Sequence, residues 1–319
     1  MNKDLIFERI FNCGIIPVIA MEDAGDAPAL AQALEAGGVD ILEITFRTDA
    51  AEAAIRNLAG ADATVGAGTV SSVETAKRAL DAGASFIVTP GFNHNVVKYC
   101  ADHDICVIPG VATATDIEAA LGYGLPVLKF FPAETNGGVA ALKALSAPYG
   151  GIRFLPTGGI SPGNLSAYLA LDSVVACGGS WFVQKDLIKT KNFPEITRLT
   201  KEAVKAVHGF AFAHLGINSP DEAAAGTVAN AFNALFGFTQ RDVGASIFST
   251  DLIEIMKSDG KGDFGHIGIH CVNVPRAMAY LQSKNVALDH DSIRLRNGKP
   301  IFIYLKDPIG SFMVHLLQA

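Results

Sequence analysis

Cysteine is scarce in this sequence of 319 residues: there are five, and no two form a Cys-x-x-Cys pair. An odd number without paired spacing does not fit a disulfide framework and favours a reducing compartment. The two longest uncharged stretches, 154–171 and 223–240, are broken by proline, glycine or polar residues, so neither predicts a membrane span. The first residues, MNKDLIFER, lack the long apolar core of a signal peptide. We therefore expect a cytoplasmic protein.

Charge is also scarce, since only 18% of the residues are charged, and the net charge is −7. An acidic protein is a poor partner for nucleic acid or for an anionic membrane. A site can still be locally basic, which leaves small anionic substrates possible. Half of the residues are hydrophobic, which excludes general disorder, and the length predicts two domains.

Short apolar runs recur through the first 200 residues. Eight runs begin near residues 15, 39, 63, 85, 105, 126, 152 and 173, and each is rich in Ile, Val and Phe, as a strand buried on both faces is. Helices are predicted between them, with capping boxes at 71–74 and 115–118 and an N-terminus at Ser161-Pro162. Eight strands alternating with helices predict an α/β protein with a (β/α)₈ TIM barrel. An open, doubly wound sheet is the alternative.

Two charged residues interrupt these apolar runs. Glu43 lies in VDILEITFRT, on the same strand face as Thr45 and Arg47, and Lys129 lies in PVLKFFPAE. A buried Glu43–Lys129 ion pair without further role is one interpretation. The functional interpretation is that burial favours the neutral forms of these groups. A neutral amine attacks a ketone carbonyl, and a carboxyl group moves protons.

Two glycine doublets follow the last two predicted strands, as TGG at 157–159 and GGS at 178–180. In (β/α)₈ barrels the loops at these places often bind phosphate, because glycine lets backbone N–H groups approach an anion. Either doublet alone would also fit a tight turn. Together they predict a site for phosphate or for a carboxylate in its place.

Seven motifs in this region resemble those of the 2-keto-3-deoxy-6-phosphogluconate (KDPG) aldolases, a family that includes enzymes acting on 4-hydroxy-2-oxoglutarate. They are LEITFRT (42–48), VGAGTV (65–70), IVTPGF (87–92), IPGVAT (108–113), LKFFPAE (128–134), PTGGISPGN (156–164) and GGSW (178–181). The resemblance covers about residues 3–207. It implies a class I (Schiff-base) lyase of the Entner–Doudoroff pathway that needs no cofactor, acts on small anionic 2-keto acids and assembles as a homotrimer.

The resemblance also implies a role for each matching residue. Lys129 would form the Schiff base, Glu43 would be the general acid–base, and Arg47 would hold the pyruvyl carboxylate. The other substrate-binding residues would be Thr69, Pro90, Phe131, Thr157, Gly158, Gly159, Gly179 and Ser180. Some relatives carry an arginine near the end of the first strand, where this sequence has Ala20, so no extra cation is expected there.

Residues 209–319 contain a weak internal repeat. His214-Leu-Gly-Ile and His266-Ile-Gly-Ile are each predicted to open a strand, and each is followed by a helical stretch (220–236 and 275–284) and by further strand-like runs. The repeat predicts two βαβββ modules that pair into one smaller α+β domain. We therefore expect a barrel at 1–208 and a second domain at 209–319.

This second region resembles the glyoxalase/dioxygenase fold of the vicinal-oxygen-chelate group. The resemblance implies a divalent metal held by His214, Glu254, His266 and, in place of the usual glutamate, His315. Three imidazole nitrogens and one carboxylate suit Zn²⁺, Ni²⁺, Mn²⁺ or Fe²⁺. The alternative is that these are ordinary strand residues in a domain that serves assembly or regulation.

Two other functions compete with a Schiff-base aldolase. Another phosphate-binding barrel, such as a phosphosugar isomerase or synthase, would explain the glycine doublets but not Lys129. A non-catalytic sugar-acid sensor would bind its ligand in the barrel and report it through the C-terminal domain. Glu43 and Lys129 together argue against a sensor, because buried charges are not needed for binding alone.

Overall fold

The computed structural model describes residues 2–319, and the chain divides into two compact units, one ending at Val207 and one beginning at His208. Within residues 2–319, no helix is both long and apolar enough to cross a membrane.

Short parallel strands alternate with helices in the first unit. The strands are β1 (Ile15–Ile19), β2 (Ile41–Thr45), β3 (Thr64–Gly68), β4 (Phe86–Val88), β5 (Cys106–Ile108), β6 (Gly110–Val111), β7 (Val127–Phe130), β8 (Arg153–Phe154) and β9 (Cys177–Gly179). The helices are α1 (Lys3–Cys13), α2 (Ala27–Gly37), α3 (Ala51–Asn57), α4 (Val73–Asp81), α5 (His94–Asp102), α6 (Ala114–Leu121), α7 (Gly138–Ser146), α8 (Leu165–Leu169), α9 (Lys185–Lys189) and α10 (Phe193–His208).

The strands form two parallel sheets, in the orders β5-β4-β3-β2-β1-β9 and β6-β7-β8. Only Pro109 separates β5 from β6. At the other side Thr157 and Gly178 form a parallel bridge, and the Gly178 N–H donates to the Pro156 carbonyl at 2.9 Å. Backbone contacts therefore lead from strand to strand through all nine segments.

Helix α1 packs against the end of the first unit where the strands begin. Its Ile6 and Ile10 share a buried apolar cluster with Ile41 and Phe86, the first residues of β2 and β4. Since apolar side chains fill this end, polar chemistry is left to the opposite one, where the carboxyl ends of the parallel strands lie.

The predicted helix starts are wrong in detail. Ser72, not Ser71, caps α4 by accepting from the Thr75 N–H. Helix α6 is capped by Thr113 and Asp116 in a reciprocal capping box, so it begins before the predicted box at 115–118. Ser161 and Pro162 lie in the turn before α8, which begins only at Leu165.

The second unit is mostly sheet. Its elements are β10 (Ala211–Ile217), α11 (Glu222–Phe236), β11 (Gln240–Asp242), β12 (Ser246–Ser249), β13 (Ile253–Met256), β14 (Gly265–Cys271), α12 (Val274–Ser283), β15 (Leu288–Arg296), β16 (Lys299–Leu305) and β17 (Phe312–Gln318). The sheet order is β11-β12-β13-β10-β14-β17-β16-β15. In each half the first strand pairs in parallel with the last, and the antiparallel pair β10–β14 joins the halves. His214 lies in the middle of β10 rather than at its start.

Candidate active site and histidine cluster

Glu43 and Lys129 meet as a buried ion pair. Glu43 lies on β2 and Lys129 on β7, in different sheets, and the Lys129 Nζ is 3.2 Å from Oε1 and 3.5 Å from Oε2 of Glu43. The Lys129 side chain is only 6% exposed and the Glu43 side chain only 1%. A proton passing from Nζ to the carboxylate over this distance would leave a neutral amine beside a carboxylic acid. The pair is thus arranged for nucleophilic and acid–base chemistry.

Glycines make room for this pair. A Cβ at Gly68, the last residue of β3, would lie 2.0 Å from Glu43 Oε1. Gly110 pairs with Lys129 across β6 and β7, and a Cβ there would lie 2.2 Å from the Pro90 carbonyl oxygen. Any larger residue at position 68 would therefore displace the glutamate.

A pocket of about 130 Å³ lies at the carboxyl ends of the strands. It is lined by Val18, Arg47, Phe131, Thr157, Gly158, Gly159, Ile160, Gly178, Gly179 and Ser180. Among the described residues, Arg47 is the only charged one in this lining. The Phe131 ring connects the pocket to the buried pair, since its centre is 5.4 Å from the Lys129 Nζ. An anion entering the pocket would therefore meet Arg47 in its lining.

Thr45 orients that cation. Its hydroxyl donates to the Ile19 carbonyl at 2.7 Å and accepts from the Arg47 Nε at 3.0 Å. With Nε engaged, the two terminal nitrogens of Arg47 are the donors that suit a bidentate carboxylate.

The turn at Gly158 and Gly159 is open only to glycine. Both residues have left-handed backbone angles, with φ of 97° and 81°, which cost energy for any residue with a Cβ. Space is short as well, because a Cβ at Gly159 would lie 2.6 Å from the Cγ of Glu134, and one at Gly178 would lie 2.4 Å from the Thr157 Oγ1. Residues 158, 159 and 178 must therefore be glycine, either because of the backbone angle or because a Cβ has no room.

The structure gathers most of the residues that the sequence predicts for the site. Thr69 and Pro90 are outside the pocket lining: Pro90 packs on Gly110, and Thr69 follows Gly68 with a φ of 58°. Sequence reasoning gave no role to Thr45, although it shares a strand face with Glu43 and Arg47. It also missed Glu134, whose N–H donates to the Gly158 carbonyl at 3.1 Å and whose carboxylate accepts from the Tyr168 hydroxyl.

In the second unit, four side chains converge from four adjacent strands. The His214 Nε2 lies 3.2 Å from the Nε2 of both His266 and His315. Glu254 Oε2 lies 3.1 Å from the His266 Nε2 and 3.3 Å from the His214 Nε2. The three imidazole nitrogens lie within 4.8 Å of one another, and the Glu254 carboxylate contacts two of them, His214 and His266.

Burial sets the protonation of this histidine cluster. It lowers the pKa of His315 to about 3 and lowers that of His214 as well, so both rings are neutral near pH 7. Burial opposes ionisation of Glu254, but hydrogen bonds with His266 and Ser246 lower its pKa to about 2. A neutral imidazole carries one N–H, so Nε2 atoms facing each other at 3.2 Å need a proton or a metal ion between them.

Residues 6–199 match the family model for KDPG and KHG aldolase. The chain belongs to this family. The 2-dehydro-3-deoxy-phosphogluconate aldolase of Treponema pallidum (strain Nichols) is 47% identical over 204 residues, which are 63% of this chain and 97% of that protein. The KHG/KDPG aldolase of Escherichia coli (strain K12) is 44% identical over 201 residues, or 62% of this chain and 94% of the relative.

Solved structures agree with the assignment to the KDPG and KHG aldolases. The KDPG aldolase of Zymomonas mobilis ATCC 29191 is 38% identical with a TM-score of 0.60, covering 64% of this chain and 97% of that one. The enzyme from Legionella pneumophila is 39% identical with a TM-score of 0.59 over 61% of this chain and 96% of that one, and it holds pyruvate as a covalent carbinolamine.

The present chain is a Schiff-base aldolase, and thus a lyase. The predicted family and enzyme class are confirmed.

Proposed function

We propose that this aldolase cleaves KDPG to pyruvate and glyceraldehyde 3-phosphate, and also 4-hydroxy-2-oxoglutarate to pyruvate and glyoxylate. The observation that carries the proposal is the buried Lys129–Glu43 pair next to a pocket whose lining includes one cation and two glycine doublets. The names of the relatives support both substrates.

Lys129 is the nucleophile in this proposal. After its proton passes to Glu43, the neutral Nζ adds to the C2 ketone of the substrate and forms a carbinolamine. Glu43 returns the proton to the departing hydroxyl, so water leaves, an iminium forms and Glu43 is again a carboxylate. Both transfers need the carboxyl within hydrogen-bond reach of the reacting nitrogen, and the 3.2 Å separation provides this.

Glu43 then performs the cleavage. Its carboxylate takes the proton of the C4 hydroxyl while the C3–C4 bond breaks, the aldehyde leaves, and the bonding electrons pass into the iminium to form an enamine. The same carboxyl protonates C3, and hydrolysis releases pyruvate and restores the amine of Lys129. One group alternates between acid and base, so the mechanism needs no second carboxyl beside the lysine.

Arg47 and the glycine doublets hold the two ends of the substrate. The terminal nitrogens of Arg47 would bind the C1 carboxylate and fix which face of the iminium meets Glu43. The phosphate would lie against Thr157, Gly158, Gly159, Gly179 and Ser180, which share the pocket with Arg47. Thr69 and Pro90, which lie just after β3 and β4, would contact the substrate from the ends of those strands.

Ser180→Ala should separate the two substrates. A hydroxyl bonded to a charged phosphate contributes about 1.5–3 kcal/mol, so kcat/KM for KDPG should fall roughly tenfold or more. The value for 4-hydroxy-2-oxoglutarate should change little, since glyoxylate carries no phosphate. Steady-state kinetics on both substrates measure this, with Ser166→Ala, at an exposed position of α8, as the control. Equal losses on both substrates would remove Ser180 from the phosphate site.

We further propose that residues 1–208 form a closed (β/α)₈ barrel and that the protein is a cytoplasmic homotrimer. The strand-to-strand contacts through Pro109 and the Thr157–Gly178 bridge support closure. The family resemblance supports the trimer.

For residues 209–319 we propose a glyoxalase-like domain of two βαβββ modules that binds a divalent metal through His214, Glu254, His266 and His315. Glu254 pairs with Gly216 across β13 and β10, and His315 pairs with Gly268 across β17 and β14. These glycines lie two residues after His214 and His266. The two halves thus offer equivalent ligand positions.

Each glycine also makes room for the histidine of the other half. A Cβ at Gly216 would lie 2.1 Å from the ring of His266, and one at Gly268 would lie 2.6 Å from the ring of His214. Three imidazole nitrogens within 4.8 Å of one another, with one carboxylate in contact with two of them, suit Zn²⁺, Ni²⁺, Mn²⁺ or Fe²⁺. Bound there, such an ion would act as a Lewis acid.

Metal analysis of the full-length protein tests this site. After dialysis against Zn²⁺ or Mn²⁺ and removal of free ions, we expect about one metal per chain. His266→Ala should lose most of it, whereas His290→Ala, on an exposed position of β15, should keep it. The same dialysis is repeated with Ni²⁺ and Fe²⁺, and wild-type protein that holds no stoichiometric metal after any of the four would contradict the proposal.

A further inference from the structure

Hydrogen bonds hold two carbonyl groups of the glycine turn that lines the pocket. The Gly158 carbonyl accepts from the Glu134 N–H at 3.1 Å, and the Gly159 carbonyl accepts from the Asn164 Nδ2 at 3.1 Å. The Asn164 side chain spans the turn, because its Oδ1 also accepts from the Ser161 N–H at 2.8 Å. Both carbonyls are therefore fixed in direction.

The fixed carbonyls set the direction of the N–H groups of Gly159 and Ile160. In a planar trans peptide the C=O and the following N–H point in opposite directions. Each of these two N–H groups follows a carbonyl that is already bonded. Both residues line the pocket, and within residues 2–319 neither N–H donates to another group of the protein. Two adjacent backbone donors are thus available to an anion in the pocket.

The shape of the turn depends on Asn164. Glycine permits the left-handed angles of Gly158 and Gly159 but does not hold them, since it adopts many other angles as readily. The bond from Glu134 comes from the backbone and does not depend on a side chain. The bond to the Gly159 carbonyl comes from a side chain, so the direction of the next N–H, that of Ile160, depends on which residue occupies position 164.

We infer that Asn164 is a positioning residue that makes the pocket selective for a phosphorylated substrate. It is outside the pocket lining and acts through the Gly159–Ile160 peptide, whose N–H it directs toward the phosphate. Sequence reasoning gave it no role. The inference rests on the proposed function, because the phosphate site is the one proposed there.

Cleavage of two substrates tests the inference: KDPG and 2-keto-3-deoxygluconate, which has the same carbon chain without the phosphate. In Asn164→Ala we expect the KM for KDPG to rise at least tenfold and kcat to change less than threefold, since the phosphate is held equally before and during the reaction. Both constants for 2-keto-3-deoxygluconate should change less than twofold. A merely structural role would lower activity on both substrates alike.

A second variant and a covalent readout separate positioning from folding. Asn164→Asp has nearly the same size and keeps the acceptor for the Ser161 N–H, but it has no donor for the Gly159 carbonyl. It should raise the KM for KDPG at least as much as Asn164→Ala does. In both variants borohydride should still trap pyruvate on Lys129 at the wild-type level, because that reaction involves no phosphate.

Asn218→Ala is the matched control. In the second unit, Asn218 bonds to the backbone in the same way, accepting from the Gly260 N–H at 3.2 Å and donating to the Gly262 carbonyl at 2.7 Å. Its loss removes the same two kinds of hydrogen bond and should leave the kinetics of both substrates unchanged.

Two different failures can be told apart. Wild-type protein that cleaves both substrates with the same kcat/KM would contradict the phosphate site itself, and the inference with it. If the wild type prefers KDPG, but the variants that still trap pyruvate keep this preference or lose activity on both substrates equally, only the role of Asn164 is overturned.

Discussion

Lys129→Ala should abolish turnover, lowering kcat by at least about 10⁴-fold on either substrate, because no other amine replaces the nucleophile in a covalent mechanism. The measurement is pyruvate release, coupled to lactate dehydrogenase, over hours at high enzyme concentration. A variant that keeps more than a hundredth of wild-type activity would show that the Schiff base is not formed at Lys129.

A loss of folding must be distinguished from a loss of chemistry. Removing Lys129 leaves the buried carboxylate of Glu43 unpaired, which costs about 3–5 kcal/mol of stability. Lys129→Arg is the matched control, since a guanidinium keeps the positive charge but is not a nucleophile. We expect it to be inactive and to melt within a few degrees of the wild type.

Glu43→Gln should lower kcat by about 10²–10⁴-fold, the usual contribution of a positioned acid–base group. The amide has the same size, so the space left by Gly68 still accommodates it. Because Lys129 is retained, the variant should still form an iminium with pyruvate, only more slowly. Proton exchange at the methyl group of bound pyruvate, followed by NMR, should fall with kcat.

Glu35→Gln is the control for this variant. Glu35 is exposed on α2, and its substitution removes the same charge as that of Glu43. Wild-type turnover by Glu43→Gln would remove Glu43 from the mechanism. Loss of the iminium and of turnover together with a melting temperature well below that of the wild type would instead show that Glu43 mainly supports the fold around Lys129.

The strand positions could be predicted because each buried strand requires a short apolar run. All eight predicted runs contain a strand, and a charge inside such a run identified Glu43 and Lys129. One run, at 105–110, is split into β5 and β6, because Pro109 has no N–H to donate.

Features that depend on distant residues could not be predicted from local pattern. The room that Gly68 leaves for Glu43 depends on the register between β2 and β3. The convergence of Glu254 with the three histidines depends on the pairing of four strands, and β15 carries register shifts that sequence alternation does not reveal. Helix starts were misplaced because several nearby Ser, Thr and Asp residues compete for each cap.

Borohydride trapping tests the central claim most directly. The wild-type protein is incubated with pyruvate, reduced with sodium borohydride and digested, and the peptides are analysed by mass spectrometry. We expect one reduced pyruvyl adduct per chain, located on Lys129 and absent without pyruvate. An adduct on another lysine, or an unmodified Lys129 in protein that is active before reduction, would contradict the account.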